Sequence, residues 1–167
     1  MIGEPEWTKR PGRGSSNLSL PPGNWDAEKT AQAAAKTAQA TVQGNKTILI
    51  IDDEEVIIDI TREILGILGY QVLASQSGQE GIDLYIARQK EIDLVILDMI
   101  MPRMGGGETF NWLKSIDPQV RVLLSTGDSL SGQVKEMMDK GCLGFIQKPF
   151  RIEALSQKIK EVLEASA

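Results

Sequence analysis

Leu94-Val95-Ile96-Leu97-Asp98 decides the architecture, because a run of large apolar residues ends abruptly on a carboxylate. Continuous rather than alternating apolar residues suit a strand covered on both faces. An acid at the tip of such a strand needs a partner. Working outward, similar short runs recur at Ile48–Ile51, Gln71–Ala74, Val120–Leu124 and Phe145–Ile146. Between them, apolar residues repeat at helical spacing: Ile57, Ile60, Ile64 and Leu68, then Ile82, Tyr85 and Ile86, then Phe110 and Leu113. Val134, Met137 and Met138 follow, and Ile152, Leu155, Ile159, Val162 and Leu163 close the series. Gly69, Gly105–Gly107, Asp117-Pro118 and Gly141 punctuate the segments. Strict strand–helix alternation predicts an α/β fold with a doubly wound parallel sheet. In such sheets ligands sit beyond the carboxyl ends of the strands, so the chemistry is expected just after each run.

The composition narrows the function. The chain has 167 residues, 18 Lys and Arg against 23 Asp and Glu, 41% hydrophobic residues, one cysteine and no histidine. Six basic and four acidic residues lie up to Lys46, twelve and nineteen beyond it, so the two parts carry +2 and −7. Direct nucleic-acid binding is not expected of the acidic part. Without histidine there is no imidazole catalysis, no His metal site and no phosphohistidine within this chain. It is not itself a histidine kinase. The lone Cys142 forms no intrachain disulfide and no CxxC pair, which favours a reducing compartment. No apolar run approaches a membrane span and no signal-peptide core opens the chain, so a cytoplasmic protein without membrane insertion is expected.

Residues 1–45 hold scattered apolar residues among Gly, Pro, Ser and Asn, too few to offset the entropy of ordering. They read as a flexible tail in which Asp26–Gln43, rich in Ala, Lys and Gln, can form a frayed helix by propensity alone. Trp7 and Trp25 are unusual there and suit partner anchoring or chance retention equally well. The globular domain is expected over residues 46–167.

At the strand ends stand Asp52, Asp53 and Glu54, then Asp98, then Ser125-Thr126, then Lys148-Pro149. Taken alone, Asp52-Asp53 could simply favour a helix N-terminus, Thr126 is an ordinary loop hydroxyl, and Lys148 an ordinary surface lysine. Their order at successive tips is the specific signal. Three clustered carboxylates repel unless a divalent ion neutralises them, and Mg²⁺ suits an all-oxygen set with room for a phosphoryl oxygen. A phosphoryl group arriving at Asp98 needs counter-charge, which Lys148 supplies, and a hydroxyl donor, which Thr126 supplies. That chemistry is phosphoryl transfer to an aspartate nucleophile.

The segments Ile48-Leu49-Ile50-Ile51-Asp52-Asp53-Glu54, Leu94 through Gly106, Val122-Leu123-Leu124-Ser125-Thr126-Gly127 and Gly144-Phe145-Ile146-Gln147-Lys148-Pro149-Phe150 resemble the receiver domain of two-component response regulators. The resemblance implies a flavodoxin-like (βα)5 fold with five strands in the order 2-1-3-4-5. It implies that Asp98 accepts a phosphoryl group from a sensor histidine kinase or histidine phosphotransfer protein. It also implies Mg²⁺ bound by Asp53, by Asp52 mostly through water, by Asp98 and by the backbone carbonyl of Ile100. Thr126 would be the switch hydroxyl, Phe145 the rotating aromatic, Lys148 the phosphoryl partner, and the Lys148-Pro149 bond cis. Apart from self-catalysed phosphotransfer and autodephosphorylation, no enzymatic activity is implied.

Two departures from the commonest receiver pattern stand out. Gly127-Asp128 follows Thr126 where many receivers carry Ala and a variable residue, and Ile100 is apolar where a polar side chain is common. The Ser-Thr-Gly-Asp-Ser run and Gly105–Gly107 resemble receivers of hybrid sensor kinases. Two alternatives use parts of the same pattern: a receiver-like interaction module that never accepts phosphate, and a Mg²⁺-dependent phosphatase of the haloacid-dehalogenase kind. The phosphatase needs a second acid two residues after the nucleophile, where Ile100 stands. Neither G-x-G-x-x-G nor G-x-x-x-x-G-K-[ST] occurs, which argues against a nucleotide-binding module. The sequence ends soon after its last helical segment, so the expected output is a protein-binding face presented to an unknown downstream target.

Overall fold

The structure is a computed structural model that describes residues 45–127 and 132–165. Residues 1–44 of the expected tail, with its Ala-rich helix, and Asp128 lie outside the described residues. The elements run β1 (Thr47–Ile51), α1 (Glu55–Ile67), β2 (Gln71–Ser75), α2 (Gly78–Arg88), β3 (Ile92–Asp98), α3 (Gly106–Ile116), β4 (Val122–Thr126), α4 (Gly132–Asp139), β5 (Gly144–Gln147) and α5 (Ile152–Glu164). The five strands form one parallel sheet in the order β2-β1-β3-β4-β5, as the resemblance implies.

Alternation along each strand divides the core into two layers. Ile48, Ile50, Leu94, Ile96, Leu123 and Ile146 pack with Ile58, Ile64 and Leu65 of α1 and Leu155, Ile159 and Val162 of α5. Leu49, Ile51, Val95, Leu97, Val122 and Leu124 pack on the other face with α2, α3 and α4 through Ile82, Tyr85, Phe110, Leu113, Val134 and Met137. Each such aliphatic side chain contributes about 1.5–3 kcal/mol when fully buried. This is why β3 carries no polar residue between Asp93 and Asp98.

Local chemistry sets the boundaries. Ser77 caps α2 by accepting the Glu80 N–H at 3.2 Å. Gly69 and Gly141 end α1 and α4 with φ of +87° and +94°, the left-handed conformation that glycine adopts without strain.

Three expectations need correcting. The fourth strand starts at Val122, not Val120, because Asp117-Pro118 opens a turn closed by Val120 N–H donating to the Asp117 carbonyl, and Lys114 Nζ takes the Val120 carbonyl. The buried face of α1 centres on Ile58, Thr61 and Leu65, which leaves Ile60 49% exposed. Ile86, Met138 and Ile152 are likewise exposed. Helical spacing gives the width of an apolar arc; how far it is buried depends on how much of it the sheet can cover.

Candidate functional site

The period of two along parallel strands brings the chemistry together. Asp52 lies two residues past Ile50, Asp98 two past Ile96 and Lys148 two past Ile146, so all three continue the α1/α5 side of the sheet. Asp98 is the last residue of β3 and Thr126 the last of β4. Asp52, Asp98 and Thr126 are 2%, 4% and 2% exposed, whereas Asp53 is half-buried. Carboxylate oxygens of Asp52, Asp53 and Asp98 all lie within 4.8 Å of one another.

Lys148 reaches across from β5 into this cluster, and its side chain is 15% exposed. Its Nζ donates to Asp52 Oδ2 at 2.7 Å and lies 3.3 Å from Asp98 Oδ1 and 3.8 Å from Glu54 Oε1. The Glu54 N–H donates to Asp52 Oδ1 at 3.0 Å. The Lys148-Pro149 bond is cis, and Lys148 N–H donates to the Thr126 carbonyl at 2.7 Å, which ties the β5 tip to the β4 tip.

The electrostatics are unbalanced. Burial pushes the Asp98 carboxyl up from 3.8 to about 6; Lys148 draws it down, and Asp52 pushes it further up. Burial opposes the Lys148 ammonium, yet the hydrogen bond from Lys148 to Asp52 and the charges of Asp98 and Asp52 leave its pKa above the ordinary value. One ammonium thus serves three clustered carboxylates. An oxygen-only donor set of this charge and spacing fits a hard divalent cation, and Mg²⁺ with its preference for a few carboxylates and retained waters suits it.

Thr126 follows Leu124 by two residues, and Leu124 pairs in register with Phe145, so both expected switch residues belong to the α2/α3/α4 side of the sheet. Phe145 is half-buried against that layer. Ile100, by contrast, is 75% exposed, and its backbone hydrogen-bonds the Asp98 carboxylate.

Three features escape a reading by motif. A Cβ on Gly106 would collide with the Asp98 carbonyl oxygen and come within 2.7 Å of Met99 Cα, so the start of α3 lies directly on the backbone of the acceptor. The adjoining loop turns through Arg103 at φ +66°. Ser125 Oγ, in register beside Asp98, is buried without a hydrogen-bond partner. The triple glycine was a visible signal for the first; nothing in the sequence marked the other two.

Known proteins share the fold. Residues 48–160 match the family model of the response regulator receiver domain. The polar-differentiation response regulator DivK of Brucella ovis is 30% identical over 121 residues, covering 71% of this chain and 96% of that protein. A response regulator receiver domain protein from Clostridium thermocellum superposes with a TM-score of 0.69 at 30% identity, covering 72% of this chain and 96% of that one. A CheX–CheY–BeF3–Mg²⁺ complex from Borrelia burgdorferi gives 0.68 at 26% identity, covering 70% and 88%. With the family model spanning most of the sequence and the strand order matching, the chain belongs to the response regulator receiver domain family.

Proposed function

We propose that this receiver accepts a phosphoryl group on Asp98 from a phosphohistidine carried by a sensor histidine kinase or histidine phosphotransfer protein. The observation that carries the reading is the convergence of Asp52, Asp53 and Asp98 within 4.8 Å, with one half-buried lysine paired to Asp52 and Asp98. Asp98 Oδ forms the new O–P bond while the P–N bond to the donor imidazole breaks and its electron pair stays on that nitrogen. Lys148 supplies counter-charge to the phosphoryl oxygens, and the Ile100 N–H holds the carboxylate in place. Asp52, Asp53, Asp98 and the Ile100 carbonyl would hold Mg²⁺, which when bound neutralises the carboxylates and binds a phosphoryl oxygen. Thr126 donates to the phosphoryl group, and Phe145, on the same side of the sheet, follows it to reshape a face that a downstream protein reads. Such a switch works by differential affinity for two coexisting states. No other catalytic activity is assigned.

The presence of a metal and a phosphoryl mimic in the Borrelia CheY complex supports the reading for this chain. The acidic charge of the body argues against direct nucleic-acid binding, and no helix among the described residues is long and apolar enough to cross a membrane. The test is intact-mass measurement after incubation with acetyl phosphate and Mg²⁺. Wild type should gain one phosphate and Asp98→Asn none, with labelling lost in EDTA. Equal labelling of both proteins would sink the assignment.

A further inference from the structure

We propose that Glu54 is a charge-selecting residue that disfavours small, doubly charged phosphodonors. The inference rests on Asp98 being the phosphoryl acceptor.

Glu54 occupies the N-cap position of α1 with extended backbone, yet its side chain makes no capping hydrogen bond. Short polar residues are preferred at that position because they reach the free N–H groups of the first turn. The Glu54 carboxylate approaches Lys148 Nζ instead, at 3.8 Å. It stands outside the group of carboxylates able to share a metal ion, which comprises Asp52, Asp53 and Asp98. Three carboxylates, one ammonium and one divalent cation balance formally; among the described residues Glu54 adds a further negative charge beside Lys148.

Its location gives that charge a role. Asp52 and Asp98 are nearly inaccessible, whereas the Glu54 side chain is 63% exposed. With Lys148, Pro149 and Phe150 it lines a groove of about 390 Å³. Any donor delivering a phosphoryl group to Asp98 meets the field of this carboxylate. A like charge near a focused site lowers the local concentration of an anion, more for a dianion than for a monoanion, and salt screens the effect. A donor whose phosphoryl group arrives with neighbouring cations is not penalised in the same way. Glu54 therefore acts on capture of the donor, not on transfer.

The two probes are acetyl phosphate, a dianion at neutral pH, and phosphoramidate, a monoanion. With acetyl phosphate the Asp98 oxygen bonds to phosphorus, the P–O bond to acetate breaks and acetate leaves. With phosphoramidate the P–N bond breaks and ammonia leaves, its nitrogen being already protonated in the donor. Initial rates of labelling are measured on the full chain at saturating Mg²⁺, over donor concentration and at low and high ionic strength.

Glu54→Gln should raise the low-concentration rate constant for acetyl phosphate roughly three- to tenfold at low salt, with a smaller rise for phosphoramidate and a gap that closes as salt increases. The saturated rate should stay the same, Glu54→Asp should resemble wild type, and Glu54→Lys should exceed Glu54→Gln. A purely helix-stabilising Glu54 would leave the donor ratio and its salt dependence unchanged. An unaltered donor ratio, or a ratio insensitive to salt, overturns the proposal while leaving Asp98 as acceptor. Absence of labelling in wild type with either donor overturns both.

Discussion

Asp93 and Asp98 stand near opposite ends of the same strand, and their surroundings could hardly differ more. Asp93 accepts from Lys46 Nζ at 2.8 Å through one oxygen and from the Thr47 N–H at 2.9 Å through the other. The Thr47 N–H is available because the β1/β3 register shifts between Thr47 and Ile48. Nearby, Asp117 accepts from Tyr85 OH at 2.7 Å and from the Gln119 N–H at 2.8 Å. At the carboxyl end of the sheet Asp98 shares one lysine with Asp52 and is held up near 6 by burial. One edge of the sheet satisfies its acids and the other leaves them in want of a cation. Carboxylates at the first edge fasten strands and loops; those at the second are kept ready for chemistry.

The largest expected effect breaks the satisfied end. Asp93→Ala removes the partner of Lys46 and leaves the Thr47 N–H, in a residue only 7% exposed, without an acceptor. A loss of about 1–3 kcal/mol is expected, read from urea unfolding by circular dichroism. Metal-free phosphorylation-site variants should move the other way. With its folded pKa raised, Asp98 binds a proton more tightly in the folded chain, so stability falls as pH rises from about 4 through about 6 and stays low above. Asp98→Asn in EDTA should therefore gain about 1–2 kcal/mol at pH 7.5, a figure discounted for solvent screening, and the gain should fade below pH 5. If Asp98→Asn destabilises at both pH values, the contrast between the two ends is wrong.

The smallest effect sharpens the contrast. Tyr85 donates to Asp117 and holds its carboxyl below the ordinary range, so this stabilisation is present above the unfolded pKa and is lost as pH falls through the folded one. Tyr85→Phe should cost about 1 kcal/mol at neutral pH and less in acid, because protonated Asp117 has less to lose. A pH-independent loss would mean that the ring, not the hydrogen bond, carries the contribution.

The same contrast marks what could be read from the sequence. Leu94–Leu97 ending on Asp98 was legible because continuous apolar residues and a tip acid report burial and chemistry in one stretch. Asp52, Thr126 and Lys148 became legible by falling at successive tips. The partners of Asp93 were not, since they depend on a register irregularity between strands far apart in sequence. Ile60 and Ile86 read as core residues by spacing but lie outside it, because each helix carries a wider apolar arc than its face of the sheet covers. Glu54 was visible as a neighbouring acid, yet its approach to Lys148 needs a contact across 94 positions of chain, the separation of the two residue numbers.

Gly105-Gly106-Gly107 looks redundant as text, yet its letters tolerate different spellings. A methyl group at 105 would meet nothing closer than 3.9 Å, and one at 107 would press at 3.0 Å on the mobile end of Met137. At 106 it would strike the acceptor's own main chain. Drift under selection should therefore wear the run down from its flanks, leaving the middle glycine as a fixed mark at the point where helix and acceptor touch. In a diverged relative that single retained letter would locate the acceptor loop even where its neighbours had become unrecognisable.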